Sequence, residues 1–261
     1  MLLVILMLEK HIWVYKMLNK EILKIKNLKA GYEKSNYIIN DISLSISKNE
    51  VVAIVGNNGA GKSTLAKAIL NITPFIEGEI NFKNKVIFNN NKKYGTSEII
   101  NFGIGYFMQG GEIFSNLTIE ENLKFAGIKL GKNEYKKKLN KTKSNFDLLS
   151  NNNRIKMKAS YLSGGEQHQL ALAMVMMRNP DLLILDEPSA GLSPRNRNEL
   201  FESINKIRQE NDIGILLIEQ NVKLAVDFSD RIFKLDLGKF VKEERSENLK
   251  ELKNLDSFFW D

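Results

Sequence analysis

The sequence predicts an α/β fold: a parallel sheet covered by helices, an antiparallel β layer near the N-terminus and an inserted helical subdomain. Three short runs, Val51–Val55, Leu182–Leu185 and Ile215–Ile218, are continuously apolar, as in parallel strands that are covered on both faces. Ile42–Ser47 alternates apolar and polar residues, as a half-buried antiparallel strand does. Helical patterns lie between the apolar runs, and this succession is typical of an α/β core.

Residues 1–20 are expected to form an N-terminal extension outside the fold. Their apolar run ends at Glu9, too soon to cross a bilayer. No basic residue precedes the run and no small-residue cleavage site follows it, which disfavours a signal peptide. In this interpretation Met17 opens the functional chain. In the alternative, the segment is an amphipathic helix that packs on the domain or contacts a membrane.

The core is predicted over residues 21–245 and a C-terminal tail over 246–261. Residues 119–153 are rich in Lys and Asn and have helical patterns without a strand pattern. We therefore place an inserted helical subdomain within about residues 110–180. The densest basic stretch, Gly131–Lys143, is interpreted as a solvated helix face, with a phospholipid-facing patch as the alternative.

Composition excludes several kinds of site. The 261 residues include no cysteine and two histidines, so disulfides, thiolate metal ligands, a cysteine nucleophile and a histidine-rich metal site are excluded. The net charge of +7 is spread along the chain, and no direct contact with nucleic acid is expected.

A phosphate-binding loop follows the Val51–Val55 run. The stretch "GNNGAGKST" fits G-x-x-x-x-G-K-[ST] and stands between a predicted strand and a predicted helix, the context in which this motif cradles phosphates. Glycines let successive N–H groups converge on phosphate oxygens, lysine reaches the β- and γ-phosphates, and a serine can bind Mg²⁺. The predicted ligands of a nucleoside triphosphate are Gly56, Asn57, Asn58, Gly59, Ala60, Gly61, Lys62, Ser63 and Thr64.

Two acids end the next apolar run, in "LLILDEP". A carboxylate at the carboxyl end of a central strand lies beside the phosphate loop, so Asp186 is predicted to hold Mg²⁺, directly or through water. Glu187 is the candidate general base that orients and deprotonates the attacking water. Without the phosphate loop, the same acids would be read as a solvated strand end.

A second anion site is predicted at the start of a helix in "YLSGGEQHQLALAMVMM". Ser163 and Glu166 have the spacing of a capping box. Gly164 and Gly165 leave bare N–H groups at the positive end of the helix dipole.

These residues resemble the ATP-binding-cassette (ABC) ATPases, a branch of the P-loop NTPases. "LSGGEQ" is similar to the family's signature motif and precedes "LLILDEP" at the expected short distance. The resemblance implies ATP and Mg²⁺ as ligands and a head-to-tail pair of subunits. Ser163, Gly164, Gly165 and Glu166 would then face the ATP that is held by the partner's phosphate loop.

The resemblance also assigns other positions. Tyr32 corresponds to the aromatic that stacks on adenine, and Gln109 to the glutamine that contacts Mg²⁺ or the attacking water. "SAGLSP" resembles the loop that crosses the dimer interface, although Ser193 stands where the family usually has aspartate. From the residues alone, Ser193 and Pro194 are a good N-cap and first helical residue.

Gln220, in "ILLIEQNV", stands where most family members carry a histidine that contacts the γ-phosphate. A glutamine amide donates a hydrogen bond but does not take up a proton. The resemblance therefore implies a phosphate sensor that leaves acid–base chemistry to Glu187. In the alternative, Gln220 only ends the strand and caps the next helix. His168 is expected at a surface or interface.

"QGGEIFSNLTIEENL" resembles the importer branch for branched-chain amino acids and for urea or short amides, in which this segment receives a helix of the membrane subunit. The resemblance implies an ATPase subunit on the cytoplasmic face of the membrane. Its expected partners are a second ATPase subunit, identical or related, transmembrane permease subunits and, indirectly, an extracytoplasmic binding protein. The alternatives are a freestanding soluble ABC ATPase acting on a protein assembly or nucleic acid, and a small-molecule P-loop kinase, which would not need the "LSGGEQ" helix.

Overall fold

A computed structural model describes residues 21–151, 153–250 and Leu255, arranged around two sheets. The central sheet has six strands, and its five neighbouring strands from β10 to β7 run parallel. In spatial order the strands are β11 (Lys239–Arg245), β10 (Arg231–Asp236), β3 (Val51–Val55), β9 (Gly214–Glu219), β8 (Leu182–Asp186) and β7 (Ile104–Phe107).

The second sheet is the antiparallel layer that the N-terminal pattern predicts. Its five strands, in spatial order, are β2 (Asn36–Ser47), β1 (Glu21–Glu33), β4 (Phe75–Phe82), β5 (Lys85–Asn89) and β6 (Lys92–Lys93). The alternating stretch Ile42–Ser47 lies within β2. The predicted α/β class and its β layer are thus confirmed.

Eight α-helices are described, with three single 3-10 turns between the fourth and fifth. No helix in the described ranges is long and apolar enough to cross a membrane. The helices are α1 (Lys62–Ile69), α2 (Thr96–Asn101), α3 (Ile119–Ala126), α4 (Lys132–Lys143), α5 (Gly164–Met176), α6 (Pro194–Asn211), α7 (Val222–Phe228) and α8 (Ser246–Leu249).

The central sheet separates two hydrophobic cores. Every residue of β3, β8 and β9 is buried, because both faces of these strands are covered. Val52 and Ile54 pack toward the antiparallel layer, whereas Val51, Ala53 and Val55 pack toward α5 and α6. The continuous apolar runs in the sequence follow from this two-sided burial.

Residues 119–150 form α3, α4 and a 3-10 turn without any strand, as the helical pattern predicts. Four lysines of α4 are exposed to solvent: Lys132, Lys136, Lys137 and Lys141. At the other end of the chain, Leu249 is buried in the core beside α7, so packing continues beyond residue 245. The N-terminal extension predicted for residues 1–20 lies outside the described residues.

Candidate functional site

The predicted phosphate loop connects β3 to α1 at the carboxyl edge of the parallel sheet. Gly61 has a φ of +106° and precedes the first helical residue, Lys62. At Gly56 a Cβ would lie 2.3 Å from the carbonyl oxygen of Leu235. Glycine is required at both positions, at the first by backbone conformation and at the second by space. The loop therefore folds tightly against the sheet.

The Lys62 side chain lies inside this loop and is only 5% exposed. Its Nζ donates hydrogen bonds to the carbonyl oxygens of Gly56 at 2.9 Å and Asn57 at 3.3 Å. It also lies 3.5 Å from Oε1 of Glu187. A buried ammonium with these partners is held where a phosphate oxygen could replace one of them.

Asp186 ends β8 beside the loop and is 2% exposed. Its two carboxylate oxygens accept hydrogen bonds from Ser63 Oγ at 3.0 Å and from the Tyr106 hydroxyl at 2.9 Å. Burial raises the pKa of Asp186, and the same burial together with this carboxylate raises the pKa of Tyr106. Ser63 and Asp186 therefore present adjoining oxygen ligands, the kind that Mg²⁺ prefers.

Tyr106 was not predicted from the sequence. It lies on β7, next to β8 in the sheet, with Tyr106 paired to Ile184 in the register. Sequence does not reveal that pairing. The one available signal is a hydroxyl-bearing residue three positions before Gln109, on the same short strand segment.

Glu187 follows directly and is held in the left-handed region at a φ of +47°. Its backbone N–H donates to the carbonyl oxygen of Ile218 at 2.9 Å, which fixes this uncommon conformation. Gln109 Nε2 donates to Glu187 Oε2 at 2.8 Å. The structure thus brings the predicted base, Lys62 and Gln109 together in one cluster.

Gln220 shares a cleft of about 450 Å³ with Glu187, Ser189 and Asn221. Its side chain is exposed, and the side-chain oxygen that caps α7 comes from Asn221, which accepts from the Leu224 N–H at 3.0 Å. Gln220 therefore does not perform the capping role of the alternative interpretation.

The predicted capping box at the start of α5 is confirmed. Ser163 accepts from the Glu166 N–H, and the Glu166 carboxylate accepts from the Ser163 N–H at 2.9 Å. Burial raises the pKa of Glu166, but hydrogen bonds from Ser163 and the charge of Arg154 outweigh it, so the net pKa lies below its usual value. At Gly165 a Cβ would lie 2.6 Å from the Asn196 side chain. At the N-terminus of α5, Gly165 thus packs tightly against Asn196, whereas a Cβ at Gly164 would meet no atom within 4 Å.

The two predicted anion sites are separate within one chain. No hydrogen bond among the described residues joins Ser163–Glu166 to Gly56–Thr64. Tyr32 belongs to the antiparallel layer, and it lies close enough to Tyr106 to contribute to the raised pKa of that hydroxyl. It lies near the end of β1 with an exposed ring, on the strand whose partner carries Ile38 and Ile39 against Gly61.

The surface or interface position expected for His168 is wrong, because His168 is buried. Its Nδ1 lies 2.9 Å from the Gly164 carbonyl oxygen, and its ring packs 5.9 Å from that of Phe107. Gly111 approaches the ring so closely that a Cβ there would lie 3.2 Å from it. This contact is nonlocal, since the loop after Gln109 folds back onto α5, and no local pattern in the sequence predicts it.

The predicted cap of α6 is confirmed, since Ser193 accepts from the Asn196 N–H at 3.3 Å and Pro194 opens the helix. The site as a whole can bind a polyphosphate, hold a divalent cation through oxygen ligands and present a carboxylate to water. These are the requirements for hydrolysis of a nucleoside triphosphate.

A profile of the ABC transporter family matches residues 39–190. A probable branched-chain amino acid transport ATP-binding protein, LivF, of Archaeoglobus fulgidus is 38% identical over 83% of this chain and 89% of its own. The high-affinity branched-chain amino acid transport ATP-binding protein BraG of Pseudomonas aeruginosa is 34% identical over 79% of this chain and 85% of its own. A tyrosine transport ATP-binding protein of Clostridioides difficile is 32% identical over 90% and 98%.

Among solved structures, the ADP conformation of an ATP-binding cassette of an ABC transporter superposes with a TM-score of 0.76 at 26% identity. The match covers 87% of this chain and 92% of that one. The architecture is therefore shared over nearly the whole described chain.

Proposed function

The chain belongs to the ABC transporter family as an ATP-hydrolysing, ATP-binding subunit, and from this premise we propose that it powers an importer at the cytoplasmic face of the membrane. The observation that carries the proposal is an exposed apolar groove beside α3. In this proposal the groove receives a cytoplasmic segment of the membrane subunit.

The groove encloses about 560 Å³ between α3 and the start of α4. Phe125 is 50% exposed and Ile128 68% exposed, although both are large and apolar. Phe114 packs edge-on against Phe125, with ring centroids 4.5 Å apart. Contiguous exposed apolar side chains mark interaction sites, and an amphipathic helix is the usual occupant of such a groove.

The groove is joined to the hydrolytic site through one loop. Gln109, which contacts Glu187, begins this loop, and Phe114 at the groove lies five residues later. The buried side-chain amide of Asn122 makes two hydrogen bonds to the backbone of Phe114. Its oxygen accepts from the Phe114 N–H at 2.8 Å, and its NH₂ group donates to the Phe114 carbonyl oxygen at 3.0 Å. A shift of the membrane segment would thus be passed through this loop to Gln109 and Glu187.

In this proposal ATP is held by Gly56–Thr64, with Tyr32 on the adenine. Ser63, Asp186 and Gln109 would hold Mg²⁺, which stabilises the charge on the phosphates. Glu187 orients the water and takes its proton. Gln220 donates a hydrogen bond to the γ-phosphate but does not take up a proton.

Hydrolysis is proposed to need two subunits, identical or related. Ser163, Gly164, Gly165 and Glu166 would complete the partner's site, because helix N-termini bind anions and these residues stand apart from the phosphate loop of their own chain. The ATPase domain is assigned to residues 21–245 with the helical subdomain near 110–180, and the extension 1–20 and tail 246–261 lie outside that assignment.

Branched-chain amino acids, or urea and short amides, are the proposed cargo. The names of two relatives support branched-chain amino acids, and the sequence of residues 109–123 supports both classes. Cargo would be selected by the binding protein and permease subunits, since function resides in sites and not in a fold.

Affinity purification of the tagged chain from detergent-solubilised membranes tests the proposal. We expect a multi-span hydrophobic partner to copurify with the natural chain, and Phe125→Glu or Ile128→Glu to lose it. Val241→Glu, which also places a charge at an exposed apolar position, should retain the partner. ADP binding by calorimetry verifies that each variant is folded. Recovery of a purely soluble complex would contradict the importer assignment.

A further inference from the structure

A second buried carboxylate, Glu219, ends β9 and was given no role by the sequence. It is 2% exposed. β9 lies between β3, which leads into the phosphate loop, and β8, which leads into Asp186 and Glu187. Glu219 pairs with Val55 in the register, one residue before the phosphate loop begins. The carboxylate therefore lies at the carboxyl edge of the parallel sheet, between the phosphate loop and Asp186–Glu187.

Both oxygens of this carboxylate accept hydrogen bonds from the backbone. Oε1 accepts from the Ser189 N–H and Oε2 from the Gln220 N–H, each at 3.2 Å. No ion pair to Glu219 occurs among the residues that the structure describes. A carboxylate without a cationic partner is costly to bury unless N–H groups satisfy it.

The two N–H donors belong to two different loops, one after Glu187 and one after β9, and both loops lie beside the predicted site of hydrolysis. Ser189 begins the 189–194 loop and follows Glu187 by two residues, and Gln220 carries the proposed contact to the γ-phosphate. One side chain thus fixes the backbone of both loops relative to β9. Neither donor lies in the Gly56–Thr64 loop, whose own contacts run through Lys62.

The carboxylate is difficult to replace by a similar group. Burial raises the pKa of Glu219, and the hydrogen bonds of Ser189 and Gln220 oppose that rise. A glutamine has one acceptor oxygen and one NH₂ donor, so one of the two backbone N–H groups would face another donor. Loss of an acceptor in a buried site leaves that N–H unsatisfied.

We propose that Glu219 is a positioning residue that holds the 189–194 loop and Gln220 in register for hydrolysis. The inference rests on the proposed role of Gln220 and goes beyond it by naming the group that holds it. Glu219 acts through the backbone of its two partners and does not contact the nucleotide.

The test compares Glu219→Gln with Glu50→Gln in the purified full chain. Glu50 is the control, because its carboxylate also accepts a backbone N–H, from Ser47 at 2.7 Å, although its other oxygen pairs with Arg231, and it lies at the opposite end of the parallel strands, before β3. For Glu219→Gln we expect kcat to fall by at least about tenfold, as misplaced catalytic groups do, with ADP affinity by calorimetry unchanged. Glu50→Gln should retain kcat.

Three results would overturn the proposal: an unchanged kcat, a parallel loss of kcat and ADP affinity, and an equal loss of kcat in Glu50→Gln. Should Glu219→Gln fail to fold, amide hydrogen exchange of the natural chain decides. Exchange of the Ser189 and Gln220 amides as slow as that within β9 supports the anchor, and rapid exchange refutes it. Gln220→Ala separates the two proposals, since full activity of that variant removes the proposed role of Gln220 whatever the Ser189 exchange shows.

Discussion

At the scale of single residues, Asp186 illustrates the cost of the hydrolytic site. Burial raises its pKa, even though Tyr106 and Ser63 donate hydrogen bonds to it. Between the ordinary carboxyl pKa and this raised value, the folded chain binds a proton that the unfolded chain has released. The free energy of unfolding must then fall as pH rises through that window.

We therefore expect Asp186→Asn to stabilise the protein at neutral pH while abolishing hydrolysis. Urea unfolding at several pH values should show a shallower decrease of the free energy of unfolding from about pH 4 upward than in the natural chain. The raised pKa of Glu219 makes the same contribution to the pH dependence of stability in both proteins. The difference between their slopes therefore reports on Asp186 alone. Asp227→Asn, at an exposed position on α7, is the control and should leave the slope unchanged. An equal slope in Asp186→Asn would contradict the assigned cost of burial.

At the scale of elements, α3 holds the loop that joins the groove to the site. Thr118 caps the helix and Glu121 completes the capping box. One turn along, the fully buried Asn122 donates to the carbonyl oxygens of Phe114 and Thr118 and accepts from the Phe114 N–H. The side-chain amide of Asn122 thus provides hydrogen-bond partners for backbone groups of the loop that have none in regular secondary structure.

Asn122→Ala should therefore lower the free energy of unfolding by about 1–3 kcal/mol, because buried backbone groups lose their partners. It should also weaken the effect of a copurified membrane partner on ATP hydrolysis, since the loop then moves independently of α3. Chemical denaturation and partner-stimulated ATPase assays measure the two effects. Asn140→Ala, at an exposed position of α4, serves as control. Natural stability in Asn122→Ala would show that the loop is held by other contacts.

The elements that sequence predicted best are those whose local pattern reflects complete burial. Val51–Val55 and Leu182–Leu185 were recognisable as strands because both faces are covered, and Ser163 with Glu166 because a capping box is local in sequence. Tyr106 and Glu219 were not recognised as site residues. Their partners, Asp186 and Ser189, are brought to them by strand pairing, and strand order cannot be obtained from the local pattern.

His168 was misplaced for the same reason. On α5 alone its position suggests a polar surface, but the loop containing Gly111 covers the ring. Predicting this would have required knowing how a nonlocal segment packs. Roles taken from the family resemblance, such as those of Tyr32 and Gln220, remain predictions that the geometry of one chain does not test.

At the scale of the whole molecule, the two anion sites predicted for one chain, Gly56–Thr64 and the start of α5, are the proposed halves of a site shared between two subunits. Within the phosphate loop, Lys62 donates a hydrogen bond to a backbone carbonyl oxygen of the same loop. Among the described residues, no hydrogen bond joins this loop to the N-terminus of α5. In the proposed two-fold pair both would be completed at once, because each half-site of one subunit would meet the complementary half-site of the other. ATP between the subunits would then add to the affinity of the pair.

Glu187→Gln should accordingly trap an ATP-bound dimer. The amide retains the size of the side chain but cannot accept the proton of water, so steady-state hydrolysis should fall by about 10²- to 10⁴-fold while ATP binding persists. Size-exclusion chromatography with light scattering, with Mg²⁺ and ATP present, should show a doubled mass that reverts when ADP replaces ATP. Adding Lys62→Ala should remove ATP binding by calorimetry and restore the monomer. Unchanged hydrolysis would eliminate Glu187 as the base, and a monomer that retains bound ATP would contradict assembly of the site from two chains.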